Sequence, residues 1–197
     1  MSGNSNVAHH EHNSDAIDIF GFWLYIMTDC VLFGTLFAAF VVLHQPDSYG
    51  PSLKPFIDLY YVLAETICLL LSNLTFGLAI ISAAKNYVKP TILLLVMTFI
   101  LGLGFVGLEV NEFVHLVHEG YSWTVSGSAS AFFALVATHG LHVTFGLIWI
   151  VCTILQISKM GLSGVMHRRL TYLGLFWNFL DIVWIFLFTV VYLIGAL

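Results

Sequence analysis

Five stretches of this chain are too long and too apolar to be covered by a water-soluble surface. They span 19–43, 56–82, 91–114, 129–157 and 170–194. Each meets or exceeds the roughly 20 residues a helix needs to cross the hydrocarbon core of a bilayer. Strands of a membrane barrel are shorter and alternate apolar with polar, so α-helices are the only backbone form that suits these runs. The breaks between them carry turn and charge signals. Pro46, Gly50, Pro51 and Pro55 interrupt the first connection, and Lys85, Asn86, Lys89 and Pro90 the second. Glu119, Gly120 and Ser126–Gly127–Ser128 mark the third, and Lys159, Gly161, Gly164, Arg168 and Arg169 the fourth. Only 9% of the residues are charged, against about 25% in soluble domains, which agrees with a chain solvated by lipid. The expected fold is all-α: a polytopic bundle of five transmembrane helices over 19–197, preceded by a polar N-terminal tail over 1–18.

Charge placement sets an expected orientation. Lys85, Lys89, Lys159, Arg168 and Arg169 fall in connections on the side of the N-terminus, while Lys54 alone falls on the other. Basic residues are retained on the cytoplasmic face, so the N-terminus is expected inside and the C-terminus outside. Aromatic residues near span ends (Trp23, Tyr25, Tyr60, Tyr61, Tyr121, Trp123 and Tyr192) suit the water–lipid boundary. The first 18 residues hold no Lys or Arg, and the apolar run behind them is too long for a signal core, so no cleaved signal peptide is expected. Six basic residues spread along the chain make no stripe for nucleic acid. Cys30, Cys68 and Cys152 each sit within an apolar run and read as small buried residues, not as disulfides or a metal cluster. No internal repeat is visible, which weighs against an inverted-repeat transporter.

The residues that carry information are those that are costly where they sit: Asp29, Glu65, Glu109, Glu112, His115, His139, His142 and Asp181. No Lys or Arg lies well inside a span. An intramembrane carboxyl must then be neutral, hydrogen-bonded, or in touch with histidine, water or a lipid head group. Asp29 and His139 each lie ten residues into their spans, at a depth of about 15 Å. His139 and His142 share a helix face, as do Asn178 and Asp181, and Trp177, Asp181 and Trp184 form one stripe. Glu109, Glu112, His115 and His118 step by three, so the row drifts across the helix and cannot converge on one ion. The histidine pair has two readings, ligation of haem or copper and hydrogen bonding between helices. The second is preferred, because nothing else in the chain supplies the rest of a metal site. His9, His10 and His12 read as part of a mobile polar tail.

At these residues the sequence resembles subunit III of the haem–copper oxidases, most closely that of the bo-type ubiquinol oxidases. The resemblance is carried by FGFWLYIMTDCVLFGTLFAAF (Phe20–Phe40), LEVNEF (Leu108–Phe113), SAFFALVATHGLHVTFG (Ser130–Gly146) and FWNFLDIVWIFLFTVVYLIG (Phe176–Gly195). It implies the five-span form of the family and a subunit without a redox centre. Haems and copper would then reside in subunit I, against which this chain would pack, with subunits II and IV in the same complex. The implied role is to stabilise a proton-pumping, oxygen-reducing complex in the bacterial cytoplasmic (inner) membrane and to sustain its proton uptake. Bound phospholipid is also implied. No catalytic, cofactor or metal residue is expected in the chain itself. Asp29 matches the family's carbodiimide-reactive carboxyl, and Glu65, Glu109, His139, His142, Trp177, Asn178 and Asp181 are the remaining expected contacts with neighbouring helices, subunits or lipid. Where the family usually has histidine after the tryptophan matched by Trp177, this chain has Asn178, which hydrogen-bonds but carries no proton at neutral pH. The competing readings are subunit III of a cytochrome c oxidase, an independent ion transporter or channel lined by Asp29, Glu65 and Asp181, and a membrane enzyme with histidine ligands.

Overall fold

The structure is a computed structural model that describes residues 4–43, 59–118, 120 and 124–193, and the side chains of these except at 4–16, 18, 59, 192 and 193. The first connection with Lys54, the positions Glu119, Tyr121 and Trp123, and the side chains of His9, His10 and His12 lie outside the described set. Five α-helices follow one another: α1 Asn4–Leu43, α2 Leu59–Ala84, α3 Val88–His118, α4 Gly127–Met160 and α5 Gly164–Leu187. A π-helical segment, Phe188–Leu193, continues α5. Each helix contains a span long and apolar enough for a membrane, within α1 at Ile19–Leu43.

The helix ends follow from local chemistry. Ser126 and Ser163 are extended N-caps whose hydroxyls accept from the amides of Ala129 and Met166. Pro90 falls in the first turn of α3, where its missing N–H would have had no helical partner. Between α2 and α3 the chain turns through Asn86 at φ 59°, a left-handed conformation that asparagine tolerates. Gly161 closes α4 at φ 71°, its amide donating to Ile157 O at 2.9 Å.

The chain divides into two compact units, Met1–Thr35 and Leu36–Leu197. In the first, Thr28 returns its hydroxyl to Leu24 O at 2.7 Å, Phe22 and Tyr25 bring their rings to 6.4 Å, and Tyr25 hydrogen-bonds the Asp29 side chain one turn on. In the second, α2 packs on α3 and α5, and α4 packs on α3 and α5, so these four helices close into a ring.

Buried positions repeat every three and four residues. On α2 they include Val62, Glu65, Leu69, Ser72, Phe76, Ala79 and Ala83. On α3 they are Thr91, Leu95, Thr98, Gly102, Phe105, Glu109, Glu112 and Leu116. A 3.5-residue period keeps one seam facing its neighbours and matches helices crossing at about 20°. The opposite faces are exposed and apolar, as with Leu74, Leu93, Ile100, Leu141 and Ile148, and so suit lipid. Cys30 and Cys152 are on exposed faces, a correction to their expected burial. Thiols are apolar enough to face acyl chains. Cys68 is half-buried and donates to Leu101 O at 3.1 Å.

Candidate functional site

The polar residues of the ring are arranged in levels along the seam. At the level nearest the α4–α5 connection, His167 of α5 places Nε2 2.8 Å from Ala83 O at the end of α2, with Nδ1 2.9 Å from Ser163 O. Deeper, the indole of Trp177 donates to Ser72 Oγ at 3.2 Å. Ser72 in turn donates to Thr98 O at 3.4 Å, and the Thr75 and Thr98 hydroxyls meet at 2.8 Å. One chain of hydrogen bonds thus joins α5, α2 and α3.

Trp177 fits because the facing helices are bare beside it. A Cβ on Gly146 would lie 2.9 Å from Trp177 Cζ3, and one on Gly102 would lie 3.1 Å from Cη2 and 2.7 Å from Leu147 Cδ2. These distances are shorter than carbon–carbon contact, so α3 and α4 reach the indole only as glycine.

The next level holds the histidine. His139 is fully buried. Its ring stacks on Trp184 at 5.3 Å and 30°, and Phe105 stands edge-on to both, at 5.9 Å from His139 and 4.7 Å from Trp184. Trp184 donates its indole N–H to Thr66 Oγ1 on α2 at 3.0 Å. His142, one turn along α4, is half-buried with Nδ1 2.7 Å from the carbonyl oxygen of Thr138. The two histidines therefore differ in setting, the first in an aromatic box and the second turned toward its own backbone.

Toward the other end three carboxyls gather. Glu65 of α2 is buried with Glu109 and Glu112 of α3 close by. The Glu109 carboxyl lies against Gly140, where a Cβ would come within 2.6 Å of Oε2. Tyr61 donates to Leu108 O at 3.0 Å, and Asn111 donates to the Tyr61 oxygen at 3.1 Å, tying α2 to α3 beside the cluster. His115 and His118 are exposed, so the row with Glu109 and Glu112 diverges, as a three-residue step requires. No group of three or more His, Cys, Asp or Glu side chains with metal-holding geometry occurs among the described residues.

Asp181 is 4% exposed, with Asn73 of α2 beside it, although neither carboxyl oxygen reaches hydrogen-bonding geometry among the described residues. Asn178, expected on the same face, is exposed. Three residues leave a difference of about 60°, and the α2–α5 contact closes over one side chain but not the other. Asp29 belongs to the first unit, where it is buried and bonded to Tyr25.

Comparison with known proteins agrees with this architecture over the whole chain. The profile of the family "Cytochrome c oxidase subunit III" matches residues 2–196. The chain belongs to the cytochrome c oxidase subunit III family. It is 50% identical to a cytochrome bo(3) ubiquinol oxidase subunit 3 of Pseudomonas aeruginosa, covering 95% of this chain and 90% of that one. It is 47% identical to the protein of the same name in Pseudomonas putida, over 94% and 90%. With a quinol oxidase subunit 3 of Bacillus subtilis the identity is 40%, over 98% and 95%. The protein is thus a multi-pass membrane component of an oxidase complex.

For an oxidase subunit III, the levels described above act as helix-to-helix ties. Ser72, Thr66 and Thr98, which accept or relay the indole bonds, were not among the residues singled out in the sequence. Serine and threonine are common in membrane helices and usually return their hydroxyls to their own backbone. Nothing local marks the ones that reach across.

Proposed function

We propose that this chain is the non-redox third subunit of a bo-type ubiquinol oxidase in the bacterial cytoplasmic (inner) membrane. It packs on the haem- and copper-bearing subunit I, alongside subunits II and IV, and supports the stability and proton uptake of a proton-translocating complex. Its N-terminus is cytoplasmic and its C-terminus external. The donor assignment follows the ubiquinol oxidase subunits of Pseudomonas, at 47–50% identity. The family name itself refers to cytochrome c oxidase, and the quinol oxidase names of the relatives favour quinol over cytochrome c.

The observation that carries the non-redox role is the box around His139. Trp184 covers one face of the ring and Phe105 meets it edge-on, so this buried imidazole serves packing between helices. The contact residues are Asp29, Glu65, Glu109, His139, His142, Trp177, Asn178 and Asp181. Phospholipid is proposed for a groove of about 660 Å3 between α3 and α4, apolar along Phe113, Val114, Val117 and Phe133, with His118 and Ser130 as polar neighbours.

Purification of the tagged chain in mild detergent tests the reading. Co-elution with a larger subunit bearing haem and copper, and ubiquinol-dependent oxygen consumption by that preparation, are expected. Oxygen consumption or stoichiometric haem in the isolated chain would overturn it, as would ion flux through the chain alone in liposomes.

A further inference from the structure

We propose that the outward groove between α2 and α5 receives a transmembrane helix of a neighbouring oxidase subunit, and that Asn178 hydrogen-bonds that helix at mid-membrane depth. The inference rests on the oxidase reading above and adds the face and the residue through which the complex is joined.

The groove holds about 480 Å3 and is lined by Leu70, Leu74, Gly77 and Ile81, with the carboxamides of Asn73 and Asn178. Asn178 stands near the centre of the span Gly164–Val191, about 20 Å along the helix from either end. At that depth acyl chains offer neither donors nor acceptors, and lipid head groups are out of reach.

Exposed hydroxyls in the other spans meet this difficulty internally. Thr28 returns its proton to Leu24 O at 2.7 Å, Thr35 to Leu32 O at 2.8 Å and Thr144 to Gly140 O at 2.8 Å. Asn178 has no such bond among the described residues, although its carboxamide brings two N–H donors and an acceptor oxygen. A side chain of this kind on a lipid-facing surface is strongly disfavoured, whereas against a helix carrying Ser, Thr, Asn or Gln it becomes a tie. Gly77 agrees with a close approach. A Cβ there would meet nothing within 4 Å in this chain, so packing within the chain does not require glycine, while an incoming helix would gain from its absence of bulk.

The shape argues against a second copy as the occupant. A two-fold contact sets the same patch against itself, and a recess facing a recess leaves a void. A ridge of side chains from a different helix fills it.

The test is a photo-crosslink in the intact complex. With p-benzoylphenylalanine at position 178, illumination of membranes is expected to join the chain to another oxidase subunit. At position 141, where Leu141 is 70% exposed on α4, only lipid adducts are expected. In detergent, Asn178→Leu is expected to release the chain from the haem-bearing complex about threefold faster, and Asn178→Gln to restore retention. Lipid-only adducts at 178 in a complex that still contains the haem-bearing subunit would overturn the proposal and leave the oxidase reading intact. An adduct between two copies of the chain would do the same. Recovery of the native chain with no partner at all would overturn both.

Discussion

The imidazole of His139 stacks on the indole of Trp184, ring centroids 5.3 Å apart at 30°, while that indole donates to Thr66 across the α2–α5 contact. One residue thus holds α4 by stacking and α2 by a hydrogen bond, from a position on α5. Trp184→Phe keeps an aromatic face for His139 and removes the bond, so a loss of about 0.5–1.5 kcal/mol is expected. Trp184→Ala removes both and is expected to cost about 3–5 kcal/mol. Thermal unfolding of the purified complex, followed by tryptophan fluorescence and loss of the chain on sedimentation, measures the difference. Equal effects of the two variants would contradict the division of roles.

The glycines around Trp177 give a sharper steric test. Gly146→Ala puts a methyl where Trp177 already lies, 2.9 Å away, and is expected to destabilise by about 1–3 kcal/mol. Gly107→Ala, on the α3 face where a Cβ meets nothing, is expected to be neutral or slightly stabilising, since alanine is the better helix former. Melting temperatures of the two variants should move in different directions or by clearly different amounts.

Ser72 accepts the Trp177 indole in a buried setting. Ser72→Ala leaves that N–H without its acceptor and is expected to cost about 1–3 kcal/mol. Trp177→Phe removes the donor but leaves a cavity of its own, so the double variant is expected to lose less than the sum of the two single losses. Additive losses in this double-mutant cycle would show that the bond contributes nothing.

Asp29 is expected to matter little to the first turnovers. Asp29→Asn preserves size and hydrogen bonding beside Tyr25. Assembly with the haem-bearing subunit and initial oxygen consumption should stay near wild type. A large immediate loss of turnover in a fully assembled complex would assign Asp29 a direct part in the reaction.

Topology can be read by labelling. With Cys30, Cys68 and Cys152 replaced by Ala, Lys159→Cys in the last turn of α4 should react with a membrane-impermeant maleimide only after the membrane is opened. Reaction in intact cells would reverse the orientation inferred from the five basic residues on that side against Lys54 on the other.

Sequence alone determined the number and nature of the helices, because a bilayer leaves the backbone few choices and 20 apolar residues in a row are hard to read otherwise. It also exposed residues too costly to be incidental, such as Glu65, His139 and Asp181. In hindsight the inward seam was partly legible. Within uniformly apolar spans, small and polar residues mark it at three- and four-residue steps, as with Thr91, Thr98, Gly102, Glu109 and Glu112 on α3. Hydrophobicity could not reveal it, because lipid-facing and protein-facing residues are equally apolar. The tertiary structure alone decided which neighbours meet. It set Trp177 against Gly102, Gly146 and Ser72, boxed His139 with Trp184 and Phe105, and parted Asp181 from Asn178 though they are three residues apart. These outcomes depend on the rotation and height of each helix against the next. Both are set by contacts between residues tens of positions apart, which no local spacing encodes.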